Sequence, residues 1–235
     1  MSSRLIFCLS TGRCGTMWLS KVLNTVPDVW ACHEPFPNFM DMHTKPYDER
    51  RSWLKAVKIP HIQGVAQPTH IETSNLVNQG FIEPLWELGI DFELLYIKRD
   101  LQQVALSQWR RGGIPGRTVG NKTWGLQPEN PNNRLTVENY SHWTDYTSCL
   151  WHAMEKTARN DYYASHHTGP VHFVDYAEMV TGSGLANLCQ RLGIGQAEHI
   201  AKRYNSTEEH KANVWPIEGF GNQAQVIRDT LKANG

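Results

Sequence analysis

Apolar and polar positions follow two patterns along the chain, one typical of strands and one typical of helices. Short apolar runs rich in β-branched and aromatic residues are typical of buried strands. Five such runs occur, at positions 5–9, 29–32, 69–76, 92–97 and 171–174. Apolar residues three and four positions apart predict helices instead. Five stretches show that spacing, at positions 16–23, 79–88, 101–111, 137–159 and 185–192. The alternation of strands and helices predicts an α/β fold with three layers, α/β/α, and a mainly parallel central sheet.

The first strand leads into the first helix through a small polar turn that contains Gly12 and Gly15. A strand, a glycine loop and a helix in this order point backbone N–H groups and the positive end of the helix at one spot. The sequence therefore predicts an anion site at this loop, and phosphate or sulfate is its natural ligand.

Two other phosphate loops are excluded by spacing. A Walker A loop ends in Gly-Lys-Ser/Thr, whereas Thr16 follows Gly15 directly and the basic residue is Arg13. A phosphatase cradle with a cysteine nucleophile needs five residues between the cysteine and the arginine. Cys8 and Arg13 have four between them, and Cys8 lies inside the strand pattern. We therefore reject both assignments.

A second junction between a strand and a helix carries another cation. Arg99 follows the run at 92–97, and Asp100 is suited to cap the helix that begins there. Ser107 follows Arg99 by eight residues, about two helical turns. An arginine fork donates two parallel hydrogen bonds to a phosphate. This junction is therefore a second candidate phosphate site.

His33 and Glu34 follow the second strand run, and Pro35 and Pro37 end the strand there. In parallel α/β folds the carboxyl ends of the strands carry the functional site. We therefore expect His33 and Glu34 to lie near the anion loop, where either side chain can accept a proton.

Together, these motifs resemble the sulfotransferase family that depends on 3′-phosphoadenosine 5′-phosphosulfate (PAPS), in particular its shorter bacterial-type members. Residues 13–18, RCGTMW, match the family's 5′-phosphosulfate loop, and residues 104–107, VALS, with Arg99 match its 3′-phosphate motif. The usual proline soon after the arginine is missing. An Arg-Lys-Gly segment near the C-terminus is also missing, and Lys211 is its candidate substitute.

The resemblance implies a P-loop nucleotide-binding type of fold and transfer of a sulfuryl group from PAPS to a hydroxyl or amine, with 3′,5′-ADP as the other product and no metal. It assigns ten residues to PAPS: Gly12, Arg13, Cys14, Gly15, Thr16, Met17, Trp18, Arg99, Ser107 and Lys211. Trp18 matches the family's adenine-stacking tryptophan.

The resemblance also implies the catalytic residues. Arg13 would neutralise charge on the bridging oxygen. In the family, a His or Glu at a place comparable to His33 and Glu34 takes the proton of the acceptor hydroxyl. Several bacterial-type members use a Glu after the second strand. Glu34 is therefore the favoured base, with His33 as its neighbour or substitute.

Two other functions remain open. A P-loop kinase-like phosphotransferase would need a lysine in the first loop and carboxylates for magnesium, and we find neither. A non-catalytic nucleotide-binding protein would bind 3′,5′-ADP and transfer nothing. The sequence does not name the acceptor, so small-molecule, glycan and lipid hydroxyls all fit.

Composition sets the remaining expectations. Of the 235 residues, 23 are Lys or Arg and 23 are Asp or Glu, so no overall field favours a nucleic-acid partner. Five cysteines without a CxxC pair suit a reducing compartment, and no apolar run approaches the roughly 18 residues of a membrane span. We expect a cytoplasmic protein with one domain over residues 1–235. Residues 112–134, rich in Gly, Pro and Asn, are expected to form a mobile lid.

Overall fold

Within residues 4–201, five strands form one parallel sheet, which confirms the predicted α/β class. The computed structural model describes residues 4–201, without the side chains of residues 123 and 124. The strands are β1 (Arg4–Leu9), β2 (Val29–Cys32), β3 (Thr69–Glu72), β4 (Glu93–Lys98) and β5 (Val171–Asp175). Their order in the sheet is β2-β3-β1-β4-β5, and every neighbouring pair is parallel.

Helices connect and follow these strands. They are α1 (Thr16–Leu23), α2 (Tyr47–Trp53), α3 (Ile59–Gln63), α4 (Ile82–Glu87), α5 (Leu101–Arg110), α6 (Val119–Trp124), α7 (Asp145–His166), α8 (Tyr176–Met179) and α9 (Gly182–Arg191). A π-helical segment, Leu54–Lys58, joins α2 to α3. Within residues 4–201, no helix combines the length and the apolar character that a membrane span requires.

The described chain falls into two compact units. Residues 4–99 and 160–201 form the first unit, which contains the whole sheet, and residues 100–159 form the second. Helix α7 passes from the second unit into the first. The expectation of one domain over residues 1–235 stays a prediction.

Strand β1 is the central strand of the sheet. Its residues from Leu5 to Leu9 are at most 5% exposed, which explains why they read as a continuous apolar run rather than as an alternating one. Leu9 lies beside Tyr96 of β4, and Phe7 lies beside Glu72 of β3. Because the strands are parallel, their carboxyl ends meet at one edge of the sheet, where the glycine loop leaves β1.

The opposite edge of the sheet is held by ionic contacts. Arg4 donates to both oxygens of the Glu93 carboxylate, at 2.5 and 2.6 Å, and His172 lies 2.7 Å from it. Burial would raise the pKa of Glu93, but the hydrogen bonds from Arg4 and His172 outweigh it and lower the pKa. The cluster ties the first residues of β1 and β4 to the second residue of β5.

The second unit has its own apolar core. Five buried residues form it: Ala105, Ile114, Tyr146, Cys149 and Leu150. Helix α7 contributes three of them, but it begins at residue 145 and not at 137 as predicted. The backbone N–H of Thr147 donates to the Thr144 hydroxyl, which caps the helix there. Residues 140–142 form a 3₁₀ turn, whose three-residue period imitates the start of a helix.

The segment predicted as a lid, residues 112–134, contains α6 and is anchored at its end. The buried carboxylate of Glu155 accepts hydrogen bonds from the backbone N–H groups of Arg134 and Leu135, and pairs with Arg159 at 2.6 Å. Arg159 also donates to the carbonyl of Asn132. Movement of this segment as a lid stays a prediction.

Stability is expected to depend on pH through His152, which is buried in α7. Burial lowers the pKa of His152 to about 3, and the charges of Lys156 and Arg159 act in the same direction. The ordinary pKa in the unfolded chain is about 6.5. The unfolded chain therefore binds more protons between about pH 6.5 and pH 3, so stability is complete above this window and falls as the pH drops through it.

Replacing His152 by leucine should make that decline shallower, as measured by urea midpoints between pH 7 and pH 4. An unchanged slope in His152→Leu would contradict a neutral buried ring.

Candidate active site

The glycine loop at the end of β1 has a left-handed backbone at three positions. The φ angles are 80° at Gly12, 55° at Arg13 and 71° at Gly15. Left-handed residues within a tight turn aim successive backbone N–H groups into one concavity, which binds anions. A non-glycine residue such as Arg13 rarely adopts this conformation, and such strain is concentrated at functional sites.

Helix α1 begins directly after this loop with its positive end uncovered by acidic groups. Gly15 occupies the N-cap position and no side chain caps the helix. The first turn contains no acidic residue. The partial positive charge at the helix start therefore adds to the loop's attraction for an anion.

Arg99 reaches the glycine loop from the end of β4. One guanidinium nitrogen donates to the carbonyl of Arg13, and the guanidinium lies 4.2 Å from the centre of the Tyr176 ring. β1 and β4 are neighbours in the sheet, so their ends are adjacent. The structure thus brings the two predicted cationic junctions, 13 and 99, together within the first unit.

Tyr176 is a residue that the sequence did not assign to the site. It follows β5, the neighbour of β4, and its ring faces Gly15. A Cβ atom at position 15 would come 2.9 Å from a ring carbon of Tyr176, closer than real Cβ contacts allow. The tyrosine therefore packs against the loop where only glycine fits, and at the same time supports Arg99.

His33 and Glu34 lie together at the end of β2. His33 Nε2 is 3.9 Å from Glu34 Oε1, and both side chains are partly exposed. The φ angle of Glu34 is 49°, a second left-handed position for a non-glycine residue. His33 Nδ1 lies 3.1 Å from the carbonyl oxygen of Thr73. A proton on Nδ1 would leave Nε2 as the acceptor.

Thr73 and Asn75, just past the end of β3, were also not assigned from sequence. The buried Thr73 hydroxyl lies 2.9 Å from the carbonyl oxygen of Thr16 and 3.1 Å from that of Cys32. Asn75 Nδ2 donates to Glu34 Oε1 at 3.0 Å. Both residues lie inside the run at 69–76 that the sequence predicted as a strand, so the rule that selected His33, a polar residue after a strand, did not reach them.

Solved structures of similar architecture exist. A sulfotransferase from Alicyclobacillus acidocaldarius is 15% identical, with a TM-score of 0.52 over 99% of this chain and 97% of that one. A sulfotransferase domain from the curacin biosynthetic pathway is 12% identical, with a TM-score of 0.53 over 98% of each chain. The chain has the sulfotransferase fold. No protein-family model and no curated protein matches it.

Within this sulfotransferase fold, the cysteines near the loop are not exposed nucleophiles. Cys8 is completely buried in β1, and burial raises the pKa of its thiol, with Cys14 acting in the same direction. Cys14 is also buried, with its Sγ 3.1 Å from the carbonyl oxygen of Gly12. All five cysteines lie within residues 4–201, and none of them forms a disulfide bond there. The cysteine-phosphatase chemistry rejected from spacing has no support in this geometry.

Four more residues were assigned to PAPS from the sequence: Met17, Trp18, Ser107 and Lys211. Trp18 is 7% exposed, and its Nε1 donates to the carbonyl of Ile200 at 2.7 Å. Met17 is half-buried on the same helix. Ser107 is half-buried in α5 of the second unit. Lys211 lies outside the described residues. Their roles stay predictions.

Metal ligands are not grouped in the described part of the sulfotransferase fold. Among residues 4–201, no three His, Cys, Asp or Glu side chains lie close enough together to hold a metal ion.

A methyl group at position 15 should disrupt the packing of the glycine loop. Gly15→Ala places a Cβ 2.9 Å from Tyr176 at a left-handed φ, so we expect a loss of about 1–3 kcal/mol in the free energy of unfolding. Gly182→Ala is the control, because a Cβ there has no neighbour within 4 Å. Urea denaturation should show that Gly182→Ala leaves the free energy of unfolding unchanged or raises it. Equal losses in both variants would contradict the close contact with Tyr176.

Proposed function

We propose that this protein transfers a sulfuryl group from PAPS to a hydroxyl or amine acceptor. The observation that carries the proposal is the contact of Arg99 with the carbonyl of Arg13. It joins the two motifs that resemble the 5′-phosphosulfate and 3′-phosphate sites of sulfotransferases, in a chain that has their fold. No other phosphate loop that we considered fits the spacing of residues 8–16.

The glycine loop would bind the phosphosulfate end of PAPS. The backbone from Gly12 to Thr16 donates N–H groups to its oxygens, and the start of α1 adds positive charge. Arg13 would neutralise the charge that grows on the oxygen bridging sulfur and phosphorus. Because the leaving group is already stable as a phosphate, the reaction needs no metal.

The nucleotide end would be held by residues assigned through the resemblance. Arg99 and Ser107 are proposed for the 3′-phosphate, Trp18 for the adenine, and Lys211 as a further phosphate contact. Arginine suits this role because its planar fork matches a phosphate. The ring of Tyr176 supports the proposal for Arg99, since it restricts the guanidinium by stacking on it.

The transfer step balances without a further reactant. Glu34 accepts the proton of the acceptor hydroxyl as the acceptor oxygen forms its bond to sulfur. The bond between sulfur and the bridging oxygen breaks, and its electron pair stays on the 5′-phosphate of 3′,5′-ADP. Glu34 then releases the proton to water. His33 is the alternative base, because its Nε2 lies near the same carboxylate.

The acceptor is proposed only as a class. A small-molecule, glycan or lipid hydroxyl satisfies the chemistry, since the reaction requires one nucleophilic oxygen or nitrogen beside the base. We also propose that the protein acts in the cytoplasm, without a nucleic-acid partner.

Nucleotide binding should depend on the 3′-phosphate. Calorimetric titration is expected to give much tighter binding of 3′,5′-ADP than of 5′-AMP, and Arg99→Ala should remove most of that preference because it deletes the bidentate donor. Arg99→Lys, which keeps the charge but not the fork, should lose an intermediate share. Equal affinities of the wild-type protein for the two nucleotides would favour another function. Tight binding of ATP with activity that requires magnesium would favour a kinase-like phosphotransferase.

Substitutions at different residues should affect either kcat or the KM for PAPS. Arg13→Ala and Glu34→Gln should each lower kcat by about 100-fold or more, because each removes a group that acts in the transition state. Arg99→Ala should mainly raise the KM for PAPS. Release of 3′,5′-ADP in the presence of an acceptor measures both constants, and circular dichroism checks the fold. The same loss in all three variants would indicate misfolding instead.

A further inference from the structure

We infer that Asn75 is a positioning residue that sets the orientation of the Glu34 carboxylate toward the glycine loop. This inference rests on the proposed function, and it deepens it by assigning the base. It starts from the hydrogen bond between the Asn75 amide and Glu34 Oε1, 3.0 Å long.

The hydrogen bond leaves one carboxylate oxygen available. Asn75 donates to Oε1 of Glu34, and in residues 4–201 the other carboxylate oxygen, Oε2, has no hydrogen-bond partner. The backbone at Glu34 is left-handed, so this side chain leaves the loop in a direction that few residues adopt. A carboxylate anchored through one oxygen presents the other to the acceptor hydroxyl in a constant direction.

Asn75 also lies next to Gly12 of the loop that would hold PAPS. A Cβ atom on Gly12 would lie 3.6 Å from both Cγ and Oδ1 of Asn75, which is ordinary van der Waals contact. One short side chain therefore lies beside the anion loop and is hydrogen-bonded to the candidate base. In this position Asn75 would set how the candidate base is placed relative to the loop that would hold the transferred group.

The backbone that carries Asn75 is itself held in place. The Thr73 hydroxyl, two residues earlier, lies within hydrogen-bond distance of the carbonyl oxygens of Thr16 and Cys32. Residues 73–75 thus connect the start of α1 to the end of β2. Asn75 suits this position because its amide donates to the carboxylate, whereas an aspartate would only repel it.

The contacts separate Glu34 from His33. The ring of His33 is held by Thr73, whose carbonyl oxygen lies 3.1 Å from Nδ1, and Asn75 is not part of that contact. A change at Asn75 therefore acts on Glu34 and leaves the support of His33 in place. If Glu34 is the base, Asn75 acts on it directly through a hydrogen bond; if His33 is the base, Asn75 acts only indirectly, through the 3.9 Å contact of Glu34 Oε1 with His33 Nε2, and a smaller effect on turnover is expected.

Asn75→Ala and Asn75→Asp test this inference. Activity is followed as 3′,5′-ADP released from PAPS with a phenol, a sugar and a long-chain alcohol as trial acceptors. Both variants should lower kcat by about 10- to 100-fold, as expected for a displaced catalytic group. Their KM for PAPS and their calorimetric affinity for 3′,5′-ADP should stay within about two-fold of wild type. Asn38→Ala is the matched control, because the Asn38 side chain accepts a hydrogen bond from the backbone N–H of Asp41 and, within the described residues, has no hydrogen bond to Glu34.

Double variants give the sharper result. Asn75→Ala combined with Glu34→Gln should be no slower than Glu34→Gln alone, since both changes act through one carboxylate. When Asn75→Ala is combined with His33→Gln, the fold-losses in kcat of the two single variants should multiply. Wild-type kcat in Asn75→Ala, or multiplied losses with Glu34→Gln, would overturn the inference.

The failure of the proposed function gives a different pattern. If the wild-type protein neither prefers 3′,5′-ADP over 5′-AMP nor releases it from PAPS, the sulfotransferase proposal falls and this inference falls with it. If the wild-type protein does both and the Asn75 variants match it, only the role of Asn75 is wrong. Loss of 3′,5′-ADP binding in Asn75→Ala would overturn the positioning role, because Asn75 would then be required for nucleotide binding by the glycine loop.

Discussion

The parallel pairing of β1 with β3 and β4 is the constraint on which the candidate site depends. Because β1 is central, its carboxyl end lies between the ends of its neighbours. The glycine loop leaves β1 at that edge, and Arg99 arrives from β4 while Asn75 arrives from β3. A parallel sheet brings together residues far apart in the chain in this way, since every strand ends on the same side. The ionic cluster of Arg4, Glu93 and His172 holds the opposite edge.

The conformation of the loop accounts for much of its chemistry. Left-handed backbone at Gly12, Arg13 and Gly15 turns N–H groups toward one point. Tyr176 restricts the same turn from outside, since its ring leaves no room for a side chain at position 15. Arg99 then lies between that ring and the loop carbonyl. The strained backbone at Arg13 is thus held in place by packing on one side and by a hydrogen bond on the other.

The second half of the site is a short network of polar residues. Thr73 lies between the start of α1 and the end of β2, and Asn75 extends from there to Glu34. Through these contacts, the candidate base and the candidate anion loop are parts of one arrangement. Thr73 is buried, and a buried polar group holds its geometry only when its hydrogen bonds are made. The network therefore explains how a partly exposed carboxylate on a turn can be kept in one orientation.

Local pattern alone determined the elements and the two phosphate-type motifs. Five strands, the helix at 16–23, and the junctions at Arg13 and Arg99 depend on short-range periodicity and spacing, which a sequence displays directly. Tyr176, Thr73 and Asn75 were missed because their importance comes from neighbours 40 or more residues away, and the start of α7 was misplaced because a 3₁₀ turn shares the helical spacing of its apolar residues. Only the tertiary structure decided which strand ends adjoin the glycine loop, because strand order follows from long-range packing rather than from any local signal.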